Sequence, residues 1–169
     1  MQKSQLQKPR IRPEPRLIDR LLDAFALALI AGMWAFTLKA YFQLPSTIAI
    51  HFDARGNPDG YGGKWNLLMI PALATLLAAG MFVLNRYPHI FNFPVKITPE
   101  NVSYQYRLAT RLMRWINLLT TLLLTMISWM MIASAGGTMS KGWIVAVIIF
   151  TVFMFIPFVV YMILAGRKK

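Results

Sequence analysis

Apolar residues fall in four long blocks, separated by shorter polar stretches. Leu21–Leu38, Leu67–Leu84, Trp115–Ala135 and Trp143–Ala165 each hold about twenty residues, and only the first carries a charge, Asp23. A helix needs about 20 apolar residues to cross a hydrocarbon core about 30 Å thick. The pattern therefore predicts an all-α membrane protein with four spans at 21–38, 67–84, 115–135 and 143–165. The first block is too long for a signal-peptide core and has no small-residue cleavage site after it, so it reads as a retained anchor. Residues 1–16 hold Pro9, Pro13 and Pro15 among lysines and arginines, without apolar periodicity. They read as a disordered basic arm; residues 17–166 form the membrane domain and 167–169 a basic tail.

The segments between the blocks differ in character. The cytoplasmic loop, 85–114, contains Thr98-Pro99-Glu100, an N-cap, a first-turn proline and an acid against the helix dipole. No breaker follows before Gly136. Span three is thus predicted to be the second half of a long helix, about 55 Å from Pro99 onward, that extends into the cytoplasm. Along it Val102, Tyr106, Ala109 and Met113 mark one face, and Arg107, Arg111 and Arg114 another. The arginines fit a lipid-phosphate stripe or the face for a cytoplasmic protein. Within the span, Asn117, Thr121, Thr125 and Ser128 share a side, as expected for interhelical hydrogen bonding. Ala24, Ala28 and Gly32 provide a small-residue face on span one, and Asp23 is expected to pair locally with Arg20. Pro71 lies near the outer end of span two, where a kink is tolerable if neighbours satisfy the freed carbonyl, and Pro157 lies within span four.

The outward loop, 43–66, alternates first: Ile48, Ile50 and Phe52 on one side, Ala49, His51 and Asp53 on the other. Asn57-Pro58-Asp59-Gly60 then supplies a turn. A small β-hairpin between spans one and two is predicted, resting on the helix ends because two strands alone are marginal. His51 and Asp53 would share a face, with Asp59 across the turn as the natural third ligand of a metal. Two certain ligands do not make a site, so His51 reads as a structural hydrogen-bonding residue, and no metal or other cofactor is expected. Lys64 could pair with Asp59.

Composition and charge sharpen this picture. Hydrophobic residues make up 57% and charged ones only 14%, there is no cysteine, and the net charge is +12. Disulfide frameworks and thiolate metal sites are excluded. The segment before span one, the 85–114 loop and the tail carry fourteen of the eighteen lysines and arginines; Lys39, Arg55, Lys64 and Lys141 lie on the other side. The positive-inside rule puts both termini in the cytoplasm. The charge then faces the anionic inner leaflet of the bilayer, and no nucleic-acid module is present to claim it. The implied location is the bacterial inner membrane.

The stretch LPSTIAIHFDARGNPDGYGGKW also carries a resemblance. Leu44-Pro45, His51-Phe52, Gly56, Asp59-Gly60 and Tyr61-Gly62-Gly63-Lys64 fall in the order seen in a prokaryotic membrane domain of unknown function. That domain also opens Sdp-type immunity proteins, which protect a producing cell from its own secreted toxin and relay its presence to a repressor. About residues 20–75 are similar, and FNFPVKITPENVSYQYRLATRLMRWI resembles the intracellular loop of short family members. Two departures stand out. Sdp-type proteins carry further membrane helices beyond the four read here, and position 49 is Ala where many relatives have Pro. The resemblance implies ligand sensing or immunity-like protection, with Pro45, His51, Asp53, Gly56, Asp59, Gly60, Tyr61 and Lys64 as the binding motif. An extracellular peptide or envelope protein would be the partner. The competing class is an accessory subunit of a membrane complex. A transporter or enzyme is least favoured, because no nucleophile accompanies His51 and no buried charge lines a path.

Overall fold

The structure is a computed structural model, and it describes residues 8–53 and 55–167. Four helices long and apolar enough to cross a membrane are present: Leu17–Gln43, Lys64–Leu84, Val102–Ser134 and Lys141–Gly166. The chain is a multi-pass membrane protein. In chain order its elements are α1 (Leu17–Gln43), β1 (Thr47–Phe52), β2 (Pro58–Gly63), a 3-10 turn (Lys64–Leu68) leading into α2 (Met69–Leu84), α3 (Val102–Ser134), α4 (Lys141–Phe153) and α5 (Ile156–Gly166).

Helix α3 is the post on which the rest is built. Its 33 residues span about 50 Å. It starts at Val102, three residues after Pro99, because Thr98 and Asn101 bond to each other and close a separate turn first. Helix α1 lies along it through Leu22, Ala26, Met33, Thr37 and Ala40, all buried. Ala24, Ala28 and Gly32 are exposed instead, so the expected small-residue packing face points away from this bundle. Helix α2 joins through its buried Ala74 and Ala78 and through a hydrogen bond from Trp34 Nε1 to Thr75 Oγ1 of 3.0 Å. Pro71 is the third residue of α2, in the first turn, where a missing N–H costs no helical bond.

The fourth span is broken. A turn at Met154–Phe155 separates α4 from α5, and Pro157 is the second residue of α5. Proline has no N–H for the carbonyl four residues back, and its ring crowds that carbonyl. No residue of α4 is buried. Helix α5 returns to α3, with Tyr161 and Ala165 against Ala109. Tyr104 Oη and Gln105 Nε2 donate to the carbonyls of Leu164 (3.2 Å) and Ala165 (3.0 Å), satisfying groups that the end of a helix leaves open.

Of the arm, residues 8–16 are described. These run without regular structure along the start of α3. Lys8 donates to the Phe91 carbonyl and lies 5.2 Å over the Phe93 ring, and Tyr106 Oη donates to the Pro9 carbonyl at 3.1 Å. Residues 1–7 of the arm and 168–169 of the tail fall outside the described residues.

Candidate functional site

The hairpin is present, but its turn sits earlier than the proline predicts. Strand β2 begins at Pro58, so Asp59 and Gly60 are strand residues. The reversal precedes Pro58 and is organised by Asp53. Its Oδ1 accepts the N–H groups of Arg55 and Asn57, both at 2.8 Å, and its Oδ2 accepts Asn57 Nδ2 at 3.2 Å. Such local side-chain bonds let aspartate mimic a backbone turn. They also hold its carboxyl below the usual aspartate range, the Asn57 N–H contributing most. Proline suits the first position of a strand, where no ladder donor is required.

Gly56 completes the reversal with a φ of +89°. Its carbonyl accepts the Met139 N–H at 2.8 Å, and a Cβ built on it would sit 2.3 Å from the Met139 oxygen. Only glycine meets both demands, the positive φ and the close backbone approach.

The expected alternation in β1 breaks at Ile50. Ala49 pairs with Tyr61 and His51 with Gly60, so Ile50 is an extra residue in a bulge. Ile48 and Ala49, just before the bulge, are both buried. Ile48 packs with Leu67 and Ala135, and the Ala49 N–H reaches the Ala135 carbonyl at 3.3 Å. The hairpin therefore sits on the end of α3 and holds the α3–α4 connection at Ala135 and at Met139.

The motif residues divide by role. His51 Nδ1 pairs with Asp59 Oδ1 and not with Asp53, which the turn occupies. Both partners are exposed, His51 at 74% and Asp59 at 47% of the side chain. Gly60 faces His51, and a Cβ there would come within 2.9 Å of the His51 Cβ. Lys64 does not reach Asp59. It donates to the Leu44 carbonyl at 3.1 Å and lies 4.9 Å over the Tyr41 ring, tying the hairpin's exit to the end of α1. Pro45, Tyr61 and Trp65 are exposed. Among the described residues no group of three or more His, Asp or Glu could hold a metal.

At the other end of α3 the arginine stripe splits. Arg111 makes a two-pronged pair with Asp19 of α1, Nε to Oδ1 at 2.8 Å and Nη2 to Oδ2 at 3.2 Å. Arg114, buried, pairs with Asp23 at 3.0 Å. Asp23 thus pairs with Arg114 and not with Arg20, and two of the three arginines are engaged by carboxylates of α1. Arg107 remains half-buried. A carboxylate near hydrocarbon is costly unless paired, and a guanidinium fork matches it in two bonds. Asp19 went unmarked by the hydropathy pattern, although Asp19 and Asp23, four apart, match the three-residue spacing of Arg111 and Arg114. Asn117, Thr121 and Ser128 are buried and Thr125 half-buried. Ser128 Oγ meets Thr37 Oγ1 at 3.0 Å, and Thr125 donates to Met33 Sδ at 3.8 Å.

Residues 28–75 match the family model described as Domain of unknown function (DUF1648). That segment comprises most of α1, the whole hairpin and the start of α2. An uncharacterized protein of Archaeoglobus fulgidus is similar, 36% identical over 110 residues, which cover 56% of this chain and 60% of that protein. The chain thus spans less than two thirds of the length of that relative. No solved structure matches.

Proposed function

We propose that the chain is a sensor in a prokaryotic cytoplasmic membrane, with the hairpin outside and both termini inside. The hairpin meets a ligand, and α3 carries the response to its Arg111 and Arg114 end. One observation supports this reading above the others: the hairpin backbone is bonded to both sides of the α3–α4 connection, at Ala135 and Met139. A ligand that engages His51, Asp59, Tyr61 or Trp65 can therefore bias the position of α3, provided it binds one arrangement better than another. The distribution of lysine and arginine supports the orientation. The similarity of the hairpin to the start of Sdp-type immunity proteins motivates a secreted peptide as the first ligand to test.

Crosslinking in the native host, followed by mass spectrometry of wild type, His51→Ala and Arg111→Ala, tests this proposal. The expected result is loss of an extracellular partner in the His51 variant and a changed cytoplasmic neighbourhood in the Arg111 variant. Identical neighbours in all three would remove the sensor reading. An accessory subunit would then take its place, a role favoured by the exposed Ala24, Ala28 and Gly32, which leave a close-approach face for another helix.

A further inference from the structure

A cavity of about 500 Å³ opens where α1, the end of α2 and the start of α3 meet the arm. Its polar wall consists of Arg12, Asp23, Asn85, Arg86 and Arg114. Two features of that wall call for a ligand. Asn85 is 7% exposed, and its Oδ1 is buried without a hydrogen-bond partner. Asp23 offers Oδ2 to Arg114, while its Oδ1 is likewise buried and unpartnered. Buried acceptors left unmade are costly, and both side chains line this cavity, so a ligand that brings donors to them relieves that cost.

The charge of the wall is equally one-sided. Asp23 offsets Arg114, and among the described residues no carboxylate lies within salt-bridge distance of Arg12 or Arg86. Two unpaired guanidiniums beside two unpaired acceptors select a group that is anionic and also donates. The remaining wall is apolar, with Leu27, Ala79, Phe82 and Val83. Leu27 and Val83 are more than half exposed on the bundle's flank, so the cavity opens toward the acyl chains.

We propose that this cavity binds the headgroup of an anionic phospholipid that carries hydroxyls, its phosphodiester on Arg12 and Arg86 and its hydroxyls toward Asp23 Oδ1 and Asn85 Oδ1. Arginine favours phosphate because its fork can donate two parallel bonds. The alkyl chains lie along Leu27 and Val83. The bound lipid would pin the arm, through Arg12, to the end of α2, and cover the Asp23–Arg114 pair.

The test is native mass spectrometry of the full chain, delipidated in mild detergent and titrated with phosphatidylglycerol, phosphatidic acid and phosphatidylcholine of identical chains, and with inorganic phosphate. Phosphatidylglycerol should bind roughly tenfold more tightly than phosphatidylcholine, and the Arg12→Gln/Arg86→Gln variant should lose that preference. Arg107→Gln, outside the cavity wall, should keep it. Asn85→Leu should selectively reduce the advantage of phosphatidylglycerol over phosphatidic acid, which lacks the glycerol hydroxyls. Equal binding of phosphatidylcholine overturns the proposal. So does an equal loss in Arg107→Gln, which would mean diffuse charge attraction. Inorganic phosphate binding as tightly as the lipid would make the site one for a soluble anion and overturn the lipid assignment. Melting temperatures in detergent accompany each variant; if the double arginine variant is unfolded, Asn85→Leu alone decides, and an unchanged preference there counts against the site.

Discussion

The two ends of α3 are held by different chemistry. At the Arg111 end, two arginines pair with carboxylates of α1, Arg111 with the buried Asp19 and the buried Arg114 with Asp23. At the Ala135 end, neutral backbone groups do the holding, with the Ala49 N–H on Ala135 and Gly56 on Met139. The side-chain pair on the hairpin, His51 with Asp59, faces outward. A buried ion pair is intolerant of separation, because each partner alone is a charge left in a poor solvent. A peptide hydrogen bond exchanges with water at a net cost of about 1 kcal/mol. One end of α3 is therefore clamped, and the other can shift cheaply, which suits a part that answers to a ligand.

Breaking the clamp has the largest expected effect. Arg111→Ala leaves Asp19 buried without its guanidinium and should cost about 3 kcal/mol in stability. Equilibrium unfolding by SDS in bicelles measures this. Replacing both Asp19 and Arg111 with leucine should recover most of the loss, since an apolar pair leaves no orphan charge. A double variant as unstable as the single one would show that the pair was not the cause.

Gly56→Ala attacks the hairpin end. The added Cβ meets both the positive φ and the Met139 oxygen, for a cost of about 2 kcal/mol. Hydrogen exchange should show the Met139 and Ala49 amides opening while the amides around Arg111 stay protected. Exchange that rises at both ends together would mean that the ends are not independently held.

Midway along the seam, Thr37→Val removes the hydroxyl that faces Ser128. Interhelical hydrogen bonds in membranes average about 0.6 kcal/mol, and a loss near that value is expected in the same SDS assay. A loss comparable to that of Arg111→Ala would place the clamp at the centre of the helix instead of its end.

At the hairpin the smallest expected effect is that of acid. Asp53 has its pKa lowered by folding. The stability it contributes is therefore fully present above the unfolded aspartate value and is lost as pH falls through the lower folded value. Trp65 emission, followed from about pH 7 to about pH 3, should stay flat until below the usual aspartate range. In Asp53→Asn that late acid step should disappear. A step nearer neutrality that survives in Asp53→Asn would assign the pH response to another group.

The positions of the membrane-crossing segments were legible along the chain because hydrocarbon solvent imposes a simple rule of length and apolarity. The hairpin was legible too, from its turn residues, though the turn itself was displaced. Pro58 and Asp59 suggested a turn at 57–60, while Asp53 had the stronger local means of closing one. The bulge at Ile50 defeated simple alternation, because seating Ala49 on the end of α3 is a tertiary demand.

What the amino-acid order determined by itself was where the chain is apolar and that it reverses between the first two spans. Those are local properties of adjacent residues. Only the tertiary structure decided which polar groups meet. Asp19 and Arg111 are 92 positions apart, and Thr37 and Ser128 are 91 apart. It also turned Ala24, Ala28 and Gly32 outward and enclosed Asn85 beside Arg12 and Arg86. In lipid all helix faces are nearly equal in apolarity, so hydropathy cannot select a partner face. The choice falls to a few polar side chains whose pairings appear only when α1 lies against α3.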